Sequence, residues 1–216
     1  MPLSKTARTA LLALLPVTVV TCALAVTSIP PDAQLGSLVR FAMFHGASTW
    51  VNMATFTLAG LAGVAYVLGA RKLLAWNRAL RWFSLPLWAV NTVLGILSMQ
   101  LIWGGILWHE PRLLMTFGLL AAAVIILAVQ LIFDSPTIPA LLDAGLAGGL
   151  WFLVLVLPNL FHPESPVFSS ENAAYAYGFF GMVGSIAVFA FAVITLVATR
   201  PGTGEVHPHH HGHARG

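Results

Sequence analysis

Read from the amino terminus, the chain alternates long apolar stretches with short polar breaks, not single apolar with single polar residues. Six stretches approach the roughly 20 apolar residues an α-helix needs to cross a bilayer core of about 30 Å. They are residues 8–29, 48–69, 83–105, 113–133, 141–161 and 174–198. Charges fall between these runs instead of recurring at every second position, which excludes the alternating pattern of a porin-like barrel. The pattern predicts an all-α fold: a polytopic membrane helical bundle of about six transmembrane helices. Residues 1–200 form its single domain, and residues 201–216 are expected to be a disordered, His-rich cytoplasmic tail. Lys5, Arg8 and the "ALA" at 23–25 give the first run some marks of a signal peptide, but its length favours a retained helix.

Composition sharpens this reading. Of 216 residues, 58% are hydrophobic and only 8% charged, against about 25% charged in soluble domains, and the mean hydropathy is +0.88. The single cysteine, Cys22, excludes an internal disulfide, a CxxC redox pair and a CxxCH haem-attachment site. The pI near 9.5 reflects membrane-proximal basic residues and implies no nucleic-acid partner. Lys5, Arg8, Arg71, Lys72, Arg78, Arg81, Arg200 and Arg215 fall on one side of the proposed spans, with only Arg40 and Arg112 on the other. Basic residues stay inside, so both termini are expected to be cytoplasmic in an inner (cytoplasmic) membrane. The segment "GARKLLAWNRALRWF" (69–83) then reads as a basic, amphipathic cytoplasmic connector.

The outer side collects the chemistry. His45, His109 and His162 all fall there, with Glu110, Glu164 and Glu171. His45, in "VRFAMFHGASTWVNM", sits where the second span is expected to begin. His162, in "LVLPNLFHPESP", sits where the fifth ends, with Pro158 expected to bend that helix. Neutral imidazole is a good axial ligand for haem iron, and two would make a six-coordinate site. Histidines solvated by lipid headgroups are the other reading. His109 with Glu110 and His45 lacks the spacing of a catalytic zinc site.

Between these histidines lies "IWGGILWHEPRLL" (102–114). Trp103 and Trp108 are either belt aromatics or stacking faces for a flat ligand. Gly104 and Gly105 leave the surface open beside them. Arg112 can pair with a carboxylate such as a haem propionate, or simply with Glu110.

This loop resembles the tryptophan-rich outer loop of cytochrome c maturation protein C and related cytochrome c synthase subunits, whose signature runs approximately WGxxWxWD. Trp103 and Gly104 match its first two positions and Glu110 its acidic one, with Pro111 and Arg112 following as in that family. Leu107 and His109 replace two of its tryptophans, and Trp108 is displaced by one position. Leu94-Gly95 stands where the family tends to show Thr-Gly, and Ser98 where another tryptophan is usual. "RFAMFHGASTW" (40–50) is similar to the family segment in which an axial histidine opens a membrane helix, and "NLFHPE" places His162 as the second ligand is placed. The resemblance implies haem b bound by His45 and His162 as metal ligands beneath Trp103, Gly104, Trp108, His109, Glu110 and Arg112. It also implies an ABC transporter and a haem chaperone as partners.

The expected function is therefore haem b binding and transfer at the outer membrane face in cytochrome c biogenesis, more a binding module than a catalyst. The alternative is a haem-bearing membrane anchor that joins redox subunits of a quinone-linked electron-transfer complex. There, buried Asn52, Asn91 and Gln100 would serve quinone or protons, or else join helices. "LAGLAGVAY" (58–66) and "DAGLAGGLWF" (143–152) mark close helix packing or moving parts, and Asp143 is expected to cap or sit at the interface. The tail "EVHPHHHGHARG" is compositionally suited to binding metal.

Overall fold

The computed structural model describes residues 3–158 and 166–200. Among them the chain forms α1 (Lys5–Ser28), α2 (Leu38–Val67), α3 (Leu73–Trp103), α4 (Pro111–Ile132), α5 (Thr137–Val156), the single turn α6 (Pro166–Ser169) and α7 (Ala173–Ala198). All but α6 are long and apolar enough to cross a membrane. The protein is a multi-pass membrane helical bundle.

Two helices begin much earlier than hydropathy alone predicts. Helix α2 starts at Leu38, not 48, because the charge in its first turn is absorbed: Arg40 Nε donates to the Ile29 carbonyl at 2.7 Å. That places a cation on the carbonyl end of α1, where the helix dipole favours it. Helix α3 starts at Leu73, so most of the predicted connector is helical, and Arg81 is buried instead of lying on a cytoplasmic surface. Helix α5 ends at Val156, two residues before Pro158. Pro158 follows the end of this helix instead of bending it, as expected where proline disfavours helical backbone at the preceding residue. His162 lies outside the described residues, as does the tail.

Helix α2 is the hub, packed against α3, α5 and α7, while α1 lies mainly along α7 and α4 against α3 and α5. Lipid tails are as apolar as leucine, so association rests on close packing and interhelical hydrogen bonds. Gly60 and Gly63 supply the first. A Cβ on Gly63 would stand 2.4 Å from the Ala140 carbonyl oxygen, and one on Gly60 would stand 2.8 Å from Ala147 Cβ. The glycines of α5 itself, Gly145, Gly148 and Gly149, meet nothing within 4 Å. The small face of α5 is made by alanines instead. Gly178 plays the same part on α7, where a Cβ would collide with Ile29 at the end of α1.

Candidate functional site

The α2–α3 seam carries a ladder of polar contacts along its length. Nearest the start of α2 and the end of α3, the imidazole of His45 lies against Gly95: a Cβ there would be 3.2 Å from His45 Cε1 and 3.5 Å from Nε2. His45 is two turns inside α2, about 10 Å from its first residue, not at the mouth of the helix as its sequence position implied. Ser98 follows Gly95 by one turn, and its hydroxyl is buried with no hydrogen-bond partner among the described residues.

One step inward, Ser48 Oγ donates to Asn91 Oδ1 at 2.5 Å, and Asn91 Nδ2 donates to Thr49 Oγ1 at 2.8 Å. Next comes Asn52, fully buried. With its amide turned to satisfy both ends, its nitrogen donates to the Ser84 carbonyl at 3.2 Å and its oxygen accepts from the Trp88 N–H at 2.7 Å. Pro86, which has no N–H to give to the Trp82 carbonyl, lies between those two residues, and Asn52 ties α2 to the α3 backbone on either side of it. Ser84 Oγ also donates to Thr55 Oγ1 at 2.8 Å. Asn52 and Asn91 are thus committed to holding helices together. Gln100, expected to be buried, is exposed.

Towards the start of α3, the bundle holds the one ion pair among the described residues, which sequence reading missed. Arg81 Nε donates to Asp143 Oδ1 at 2.9 Å and Oδ2 at 3.0 Å, and its Nη2 also meets Oδ2. Arg81 Nη2 donates to Asn77 Oδ1 at 3.0 Å, and Nη1 donates to Gln130 Oε1. Asn77 Nδ2 closes the ring by donating to Asp143 Oδ2 at 2.7 Å and the Ala59 carbonyl at 2.9 Å. Asp143 is therefore neither a cap nor an interfacial residue. It is buried at 3% exposure beside Arg81, also at 3%. Four helices, α2 to α5, meet in this cluster, and it is internally satisfied, as a charge pair in lipid must be. Its chemistry is that of a clamp. A signal was available in the sequence: Asp143 lies within an apolar stretch, where a lone carboxylate needs a partner, and Arg81 lies two residues before another.

At the opposite end of the bundle, α3 stops at Trp103, and Gly104 adopts φ +70°, the left-handed conformation that ends helices and suits glycine. A Cβ on Gly104 or Gly105 would meet nothing within 4 Å, so the surface there is open. Trp103 and Trp108 are exposed at 48% and 55%, and His109 is exposed too. Glu110 is the reverse, 1% exposed. It is the N-cap of α4, its Oε2 accepting from the Leu113 N–H at 2.6 Å, with Pro111 in the first turn. It makes no ion pair with Arg112. Glu110 Oε1 and Arg112 Nε are both buried without a hydrogen-bond partner among the described residues. Trp103 lies eight residues beyond Gly95, about 12 Å along the axis of α3, a separation that a porphyrin with its propionates can bridge.

An aromatic cluster borders the same end. Trp50 stacks near Phe168 of α6 at 6.2 Å and meets Phe179 of α7 edge-on at 5.4 Å. Among the described residues no three metal-ligating side chains converge. No protein-family model matches the chain, and no curated protein matches it.

Proposed function

We propose that the chain binds haem b at the outer end of the bundle and passes it on in cytochrome c biogenesis, with His45 and His162 as axial ligands. The observation that carries this reading is the seat of His45: its Cε1–Nε2 edge lies on side-chain-free backbone at Gly95, below an open, tryptophan-bearing loop. The residues present fit the group. Arg112 Nε is a buried donor without a protein acceptor among the described residues, suited to a propionate carboxylate. Trp103 and Trp108 offer exposed planar faces beside the open backbone of Gly104 and Gly105.

Haem b, if bound, would supply a redox-active iron, and the imidazoles of His45 and His162 are the side chains that would hold it. The chain's own part is positional. Helix α2 holds the His45 ring, the bare backbone of Gly95 lets that ring pack against α3, and the Glu110 cap fixes the start of α4 and with it the backbone of Arg112. His109, exposed in the loop, is available to a partner. In the family that the loop resembles, those partners are an ABC transporter and a haem chaperone at the outer surface. The membrane is the cytoplasmic one and the site is extracytoplasmic, a placement supported by the excess of Lys and Arg at the opposite end.

The purified protein is expected to show a reduced-minus-oxidised spectrum of low-spin b-type haem. His45→Ala and His162→Ala should each abolish it or convert it to high spin, while Arg112→Gln should speed haem loss and leave the low-spin signal. A spectrum unmoved by both histidine replacements would remove the ligand pair.

A further inference from the structure

At the end opposite the proposed haem site, the first turns of α3 and the last turn of α7 enclose a groove of about 180 Å³ lined by Ala75, Arg78, Ala79, Trp82, Val197 and Arg200. Positions 75, 78, 79 and 82 share one helical face, and the two alanines leave the space between two guanidinium-bearing side chains. Arg78 is half-buried and has no hydrogen-bond or ion-pair partner among the described residues. The nearby buried carboxylate, Asp143, is already taken by Arg81 and Asn77. Trp82 is 47% exposed and forms a wall of the kind favoured at a membrane–water boundary.

From this geometry we infer a binding site for the headgroup of an anionic phospholipid. Arg78 would hold the phosphodiester in the groove that Arg200 also lines, with the glycerol over Ala75 and Ala79 and the acyl chains leaving along the apolar seam of α3 and α7. Charge complementarity selects the occupant. A half-buried guanidinium in the second turn of a membrane-spanning helix calls for an anion, and a planar fork matches phosphate oxygens. A zwitterionic lipid brings its own cation and gains less. The site does not depend on the haem reading, and its position at the start of α3 and the end of α7 does not depend on which leaflet that end faces.

The test is native mass spectrometry of the full-length protein in neutral detergent, titrated with phosphatidylglycerol or phosphatidylcholine. One phosphatidylglycerol should be retained in preference to phosphatidylcholine. Arg78→Gln should weaken that retention about tenfold, while Lys72→Gln, exposed and outside the groove, should change it by less than about twofold. Ala75→Leu keeps every charge and fills the groove, and should weaken retention as Arg78→Gln does. Equal losses from Lys72→Gln and Arg78→Gln would mean diffuse attraction and overturn the site, as would unchanged retention in Ala75→Leu. Displacement of the lipid by millimolar inorganic phosphate would make free phosphate the ligand and overturn the lipid assignment. A wild-type protein that retains no phosphatidylglycerol would overturn the proposal outright.

Discussion

Asp143 shows how much one residue can hold. Its carboxylate accepts from Arg81 and Asn77 in a setting with no water to replace them. Asp143→Asn would leave the Arg81 guanidinium buried without its counter-charge, a loss of about 3–5 kcal/mol by analogy with buried pairs elsewhere. Unfolding in mixed dodecylmaltoside and SDS should report it. The double replacement Arg81→Met with Asp143→Leu, which removes both charges, should recover most of the loss; a double variant as weak as the single one would mean that the charge pair is not what matters. Gly95 is the corresponding position for the proposed haem site. Gly95→Leu places a side chain where the His45 ring now rests, so the low-spin haem spectrum should be lost while helix content is kept. A normal spectrum in this variant would separate His45 from the iron.

At the scale of helices, close approach between α2 and α5 rests on two glycines. Gly63 faces backbone, the Ala140 carbonyl, not a flexible side-chain tip, so the neighbour has no rotamer with which to yield. Gly63→Leu is expected to cost about 3 kcal/mol through overpacking and to loosen the Asn77–Asp143 contact that lies beside it. Gly148→Leu on the facing helix, where a Cβ meets nothing, should be nearly silent in the same unfolding assay. Equal effects would refute the assignment of the contact face. Both glycine-rich stretches look alike in sequence, because a glycine that admits a neighbour and a glycine that faces lipid are the same letter. Only the rotation of each helix about its axis separates them.

The whole molecule has one polarity: the open aromatic loop and His45 at one end, a concentration of basic residues at the other. The proposed orientation can be read with thiols. In a Cys22→Ser background, which removes the sole cysteine, His109→Cys should react with a membrane-impermeant maleimide in intact cells. Asp134→Cys, in the α4–α5 turn, should react only after permeabilisation. The opposite result would invert the bundle and place the proposed haem site inside. At this scale the sequence was nearly sufficient, since six apolar runs became six long helices. The errors cluster where a charge lay near a run. The stretch containing Arg40 and His45 was trimmed from α2, and the stretch containing Arg78 and Arg81 was read as a connector, because hydropathy treats each charge as exposed. The break that would carry the proposed site was legible, though it is shorter than the expected loop: Trp108 lies in it, Trp103 is the last residue of α3, Arg112 is in the first turn of α4, and Glu110, read as a ligand-loop acid, is the cap on which α4 begins.

What the sequence determined by itself was the set of spans and their likeness to lipid, because transfer into a bilayer is close to a sum over single residues, and such a sum can be read along a line. Tertiary structure decided everything that depends on pairs: that Arg81 meets Asp143 across 62 residues, that Asn52 bonds the α3 backbone on either side of Pro86, and that His45 rests on Gly95. A buried charge or imidazole is costly alone and acceptable with its partner, and which partner it has is fixed only when the helices choose their rotation and register against one another.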